Sequence, residues 1–237
     1  MDEVVELVVR NLQNYHYPAF RIVQAESGQL DFGGGVRGDF CEDHANTDGE
    51  LDNYHYRLLR SENAYLNLMG MASVIYWGWA NGEIREVRVR WFLNGHGNMP
   101  PTTAAIAQER LLRAKEALEN GNCGLALSSF QGVSQLGRTP FSSKIIAFLA
   151  PNSAGVYDTK IQNAILELPA LANWPRLDAA RNGCGEVDSG AIQDCYIAWC
   201  SALQSIAGEI SNRGLGQPRP LDIERAIFAA YIAHGNP

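Results

Sequence analysis

Two ionisable side chains fourteen residues apart, Lys144 and Asp158, carry the most suggestive chemistry in this chain. They belong to the stretch GVSQLGRTPFSSKIIAFLAPNSAGVYDTKIQNAI, which runs from Gly132 to Ile165. An amine that gives up its proton readily is a nucleophile toward an electrophilic carbon. A carboxylate fixed beside such a carbon stabilises positive charge developing there and can take a proton from the attacking group. The pair matters only if two helices aim both side chains into one cavity, so the elements that carry them come next.

Thr139 followed by Pro140 suits a helix start, since a Thr hydroxyl caps orphan amides and Pro at the first helical position loses no hydrogen bond. The spacing predicts a helix to about Ala150, where Pro151 stops it. Phe141, Ile145, Ile146, Phe148 and Leu149 share a broad apolar arc, with Ser143, Ala147 and Ala150 opposite and Lys144 at its edge. A lysine near a helix N-terminus lies at the unfavourable end of the dipole, and burial beside Phe148 disfavours its charge further. Asp158 is a favoured N-cap for a second helix whose buried stripe is Ile161, Ala164, Ile165 and Leu168. On these residues alone, Asp158 reads equally as a plain cap and Lys144 as a lysine lying along an apolar surface with its head in water.

The run LGRTPFSSKIIAFLAP, followed by VYDTKIQNAI, resembles the bacterial family with the 8-oxoguanine DNA glycosylase fold, within the helix-hairpin-helix glycosylase superfamily. Gly137, Ser143, Lys144, Pro151 and Asp158 fit its order of glycine turn, Ser/Thr-Lys pair, proline loop and helix-opening aspartate. Tyr76-Trp77-Gly78 and the segment from Asp222 to Phe228 also look like family landmarks. The resemblance implies an all-α fold and base flipping from double-stranded DNA. It also implies excision of a damaged or modified base, either oxidised guanine or a modified base of phage DNA. Asp158 and Lys144 would be catalytic, Gly137, Arg138, Ser143 and Lys160 would contact DNA, and Trp77 and Phe228 would line the base pocket. If water attacks the sugar an abasic site results; if Lys144 attacks, a Schiff base forms and the strand is open to nicking. The hairpin departs from the family pattern, because Gly137 is its second glycine only if Gly132 is ignored. The alternative is a non-catalytic DNA-binding or protein-interaction module that retains the fold.

Composition sets bounds on these expectations. A chain of 237 residues, 46% hydrophobic, is expected to form one domain with a sizeable core. The acidic, amphipathic start, MDEVVELVVRNL, is unlike a signal peptide, and no apolar run approaches the ~20 residues of a membrane span, so a cytoplasmic monomer is expected. Cys41, Cys123, Cys184, Cys195 and Cys200 include no Cys-x-x-Cys, which speaks against structural zinc, an iron–sulfur cluster or a disulfide framework; neither metal nor cofactor is expected. The net charge of −7 opposes DNA binding, but residues 1–60 hold 11 acids and 5 bases, against 15 and 14 in the rest. A local basic patch and backbone amides can still grip phosphate.

Elsewhere the pattern predicts a mainly α fold with any strand confined to the first ninety residues. The first 56 residues read as a less regular acidic part, with 39–52 as a solvated acidic loop in which Asn46 to Gly49 faintly resembles a calcium site. One or two buried helices are expected over 58–79. The segment around Arg85, Arg88 and Arg90, the densest basic patch, fits strand or helix equally. Further helices are expected from Thr102 to about Glu119, from Gly124 to Phe130, from Gln193 to Arg213 and from Leu221 to Ala233. The segment 179–190 reads as a polar loop.

Overall fold

The helix AYLNLMGMASVIYWG is apolar on every side, and such a helix belongs at the centre of a fold. In the computed structural model, which describes residues 1–43, 48–80, 82–176 and 190–235, it occupies that place. This helix, α3 (Ala64–Gly78), is buried continuously from Asn67 to Trp77 and capped by Asn63, whose side chain accepts from the Tyr65 amide. Among the described residues there are nine other α-helices, of which α2, α4, α5 and α7 pack directly on it. Before it come α1 (Asp2–Asn11) and α2 (Asp48–Leu59). After it come α4 (Arg85–Asn94), α5 (Ala104–Glu119), α6 (Cys123–Ser128), α7 (Thr139–Leu149), α8 (Thr159–Glu167), α9 (Gly190–Asn212) and α10 (Pro220–Ala233). One hydrophobic cluster runs from Val4 on α1 to Tyr231 on α10, so the two ends of the chain share a core. No described helix is long and apolar enough to cross a membrane.

A small antiparallel sheet accompanies the helices: β1 (Arg21–Gln24), β2 (Leu30–Gly33) and β3 (Val36–Cys41), in the order β1-β3-β2. Ile22, Leu30, Phe32 and Val36 are buried on one face of it, which covers α3. The β2–β3 turn is made by Gly34 and Gly35 with φ of 57° and 79°, values that side chains rarely tolerate. The sheet is pinned to α3 by Ser73, whose Oγ accepts the Ile22 amide at 3.0 Å and lies 2.9 Å from His55 Nε2. Burial, with help from Arg21 and Arg225, pushes His55 down to about 3 and keeps it neutral.

Several expectations need correction. The acidic loop over 39–52 is instead the end of β3 and the first turns of α2; residues 44–47, part of the calcium-like motif, lie outside the described residues. Asp52 is not solvated but 4% exposed, and forms the ion pairs described below. The arginine patch, which fitted strand or helix equally, is the helix α4. Helix α7 is buried on nearly all sides, Ser143 and Ala147 included, and it starts at Thr139, with Arg138 rather than Thr139 at the cap position. The polar segment expected over 179–190 falls mostly outside the described residues, as does Cys184.

Candidate active site

The chain between α7 and α8 is short, and its backbone carbonyls are held by the neighbouring helices. Tyr196 on α9 donates to Gly155 O at 3.0 Å, and Trp199 donates to Val156 O at 3.1 Å. Ser143 fastens the other side: its Oγ accepts the Tyr157 amide at 3.0 Å and lies 3.2 Å from Tyr157 O. These bonds fix the start of α8 against the middle of α7.

Asp158 is the N-cap of α8. Its Oδ1 accepts the amides of Lys160 and Ile161 at 3.1 and 3.2 Å, while its Oδ2 accepts from Lys144 Nζ at 2.7 Å. The carboxylate is therefore both a cap and the partner of the lysine, and the cap is what aims its second oxygen. Burial alone would raise its affinity for a proton. The Lys144 charge and hydrogen bond, with the two amides, outweigh that and hold the carboxyl below its ordinary range. Lys144 reaches this position across Gly78: a Cβ there would lie 2.6 Å from Phe141 Cε1 and 3.0 Å from Lys144 Cδ. Only glycine at the end of α3 leaves the lysine stem its path.

The pair opens on a cavity of about 710 Å³, within the size range of ligand sites. One wall is aromatic, with Trp79 and Phe141 stacked at 5.4 Å and 22°. Another is made by Arg88, Gln135, Gly137 and Arg138, and Lys160 stands at the α8 end. Lys144 is 9% and Asp158 20% exposed at the side chain, which leaves both in contact with the cavity but screened from bulk water. Arg88, Arg138, Lys144 and Lys160 face a single acid, Asp158, so the cavity lining is cationic within an acidic chain.

Of the residues singled out from the sequence, Lys144, Asp158, Gly137, Arg138 and Lys160 meet at this cavity. Ser143 does not: it is fully buried, and its hydroxyl ties α7 to Tyr157. Trp77 is buried against Phe148 at 4.9 Å and Tyr17 at 5.2 Å. Phe228 packs edge-on to Tyr15 and Tyr17. Neither lines the cavity. The indole at the cavity is Trp79, which follows α3 where its winding stops. Arg88, Gln135, Met99 and Phe141 also line it, and of these only Arg88, as part of a basic cluster, carried a signal for a site in the sequence.

A second carboxyl lies behind the pair. Glu224 on α10 is 5% exposed, and burial first, then the Asp158 charge, pushes it up to about 8, so at neutral pH it is largely protonated. The environment thus sets the protonation of Asp158 and Glu224 apart. No family model, curated protein or solved structure matches this chain.

Proposed function

We propose that this chain is a DNA N-glycosylase that everts a damaged or modified base from a duplex and cuts its bond to the sugar. The observation that carries the proposal is the 2.7 Å Lys144–Asp158 pair at the edge of a half-open cavity with an aromatic wall and a cationic lining. Bases stack on flat aromatic surfaces, and phosphates are met by Arg138, Lys160 and backbone amides near Gly137. The local positive charge answers the objection raised by the net charge of −7, although long-range attraction to DNA remains weak.

Cleavage of the C1′–N bond leaves its electron pair on the base, whose nitrogen takes up a proton, and leaves positive charge on the sugar. The Asp158 carboxylate, ionised well into mild acid, stabilises that charge. In the hydrolytic route a water oxygen bonds to C1′ while Asp158 takes its proton, and an abasic site results. In the lyase route Lys144 passes a proton to Asp158 and its nitrogen bonds to C1′; the C1′–O4′ bond then opens, O4′ taking a proton from that nitrogen, and a protonated imine remains. Eversion of the base costs a few kcal/mol, least for a damaged pair.

The test is incubation with duplexes bearing a panel of oxidised, deaminated and hypermodified bases, with mass spectrometry of the released base. Release is expected from the parent protein and not from Asp158→Asn. Borohydride trapping then separates the routes, an adduct lost in Lys144→Gln marking the lyase route. The surplus of acids favours a second reading, a non-catalytic DNA-binding or protein-interaction module. It expects no release of any base and no effect of Asp158→Asn.

A further inference from the structure

We infer that Gln135 selects the base, by donating a hydrogen bond to a carbonyl oxygen on the base edge; this rests on the proposal that an everted base occupies the cavity. Gln135 lines the cavity and, among the described residues, is the one non-glycine with positive φ, at 66°. That conformation costs a residue with a Cβ of the order of 1 kcal/mol, and glycine would adopt it without cost. The turn enforces it: the Val133 amide donates to Phe130 O at 3.1 Å, and the Leu136 amide to Val133 O at 3.0 Å. The strained backbone delivers this side chain to the cavity.

The polarity of the side chain is also fixed. Arg88 Nη1 donates to Gln135 Oε1 at 3.1 Å, and the guanidinium is clamped between the rings of Trp79 and Trp91, 4.8 Å from each. A guanidinium has donors only, so the amide must turn its oxygen to Arg88 and present its NH₂ elsewhere. Within the protein that NH₂ reaches Ser134 Oγ at 3.5 Å, the limit of hydrogen bonding. A base stacked along Trp79 and Phe141 would therefore meet a preset donor. Facing the exocyclic 6-position of a purine or 4-position of a pyrimidine, it is accepted by the carbonyl oxygen of guanine, thymine and uracil and not by the amino group of adenine and cytosine.

The experiment compares base-release rates on duplexes carrying 8-oxoguanine or uracil with rates on duplexes carrying N6-methyladenine or 5-hydroxymethylcytosine. The parent protein is expected to favour the carbonyl-edged bases by about tenfold or more. Gln135→Gly keeps the left-handed turn and should bring that ratio close to one. Gln135→Glu, an acceptor in the same place, should reverse it. The ratio reports recognition, since a merely structural role would lower all rates together. An amino-edge preference in the parent, or a ratio unmoved by both substitutions, overturns this inference while leaving the glycosylase proposal intact. Release of no base at all overturns both.

Discussion

Two clusters of ion pairs among the described residues, one around Asp52 and one at Lys144 and Asp158, differ in how their partners are joined. Asp52 on α2 accepts from Arg225 through both oxygens, at 2.6 and 3.0 Å, and from Arg219 at 2.6 Å; Arg219 in turn bonds Asp222 at 2.7 Å. Asp52 and Arg225 are 5% and 4% exposed, and the charges are matched on every side. Lys144 and Asp158 meet through one bond, over a cavity, with the carboxylate oriented by a helix cap. A guanidinium fork that fills a carboxylate suits a joint between elements. A single ammonium on one oxygen leaves the other partner able to change hands with a substrate.

The widest effect expected from breaking the open pair is chemical. Asp158→Asn, which preserves the cap, should lower base release by about a thousandfold, while duplex binding changes little; gel shift and single-turnover kinetics check this. Breaking the Asp52 cluster should instead cost stability. Asp52→Ala takes the bidentate carboxylate from the buried Arg225, while Arg219 keeps Asp222, and urea unfolding should register a loss of about 3–5 kcal/mol, with release per folded molecule unchanged. Gly78→Ala sharpens the contrast, because it pushes on the lysine stem without touching a charge. It should reduce release by about ten- to a hundredfold, as a misplaced catalytic group does, with a small effect on melting.

The smallest expected effect lies in pH. Glu224 has its folded-state value raised to about 8 from an ordinary 4.5, so its neutral form stabilises the fold. That contribution is complete below 4.5, declines as pH rises through the interval, and is gone above about 8. Thermal melts from pH 5 to 8 should therefore fall in the parent protein and be flatter in Glu224→Gln. The Asp158 value moves the other way. Its ionised form is favoured, so its contribution persists at neutral pH and fades only on acidification below the ordinary carboxylate value of 3.8.

What could be read from the sequence follows from the range of the forces involved. The all-round apolarity of α3, and the proline and aspartate that start α7 and α8, are local, and they mark the helices, α7 and α8 carrying Lys144 and Asp158. The fate of Asp52 was not local: its arginines lie 167 and 173 residues away, and an acid among acids looks solvated until they arrive. Trp77 and Trp79 are separated by one glycine, and which indole meets the cavity depends on where α3 stops winding, a tertiary matter. Ser143 sits beside Lys144 in the sequence, yet one residue is 100° of helix, enough to turn its hydroxyl onto Tyr157. The strands, too, have a local signal. Leu30 and Phe32 before Gly33-Gly34-Gly35, and Val36 after them, alternate as a hairpin should.

The central claim is that Asp158 stabilises positive charge at a sugar carbon. The most direct measurement is the affinity for duplexes containing a cationic pyrrolidine in place of one sugar, set against the neutral tetrahydrofuran analogue. The account predicts that the parent protein binds the cationic duplex at least a hundredfold more tightly, as transition-state mimics are bound, and that Asp158→Asn loses the preference. Equal affinity for the two duplexes, or a preference that survives in Asp158→Asn, would contradict it.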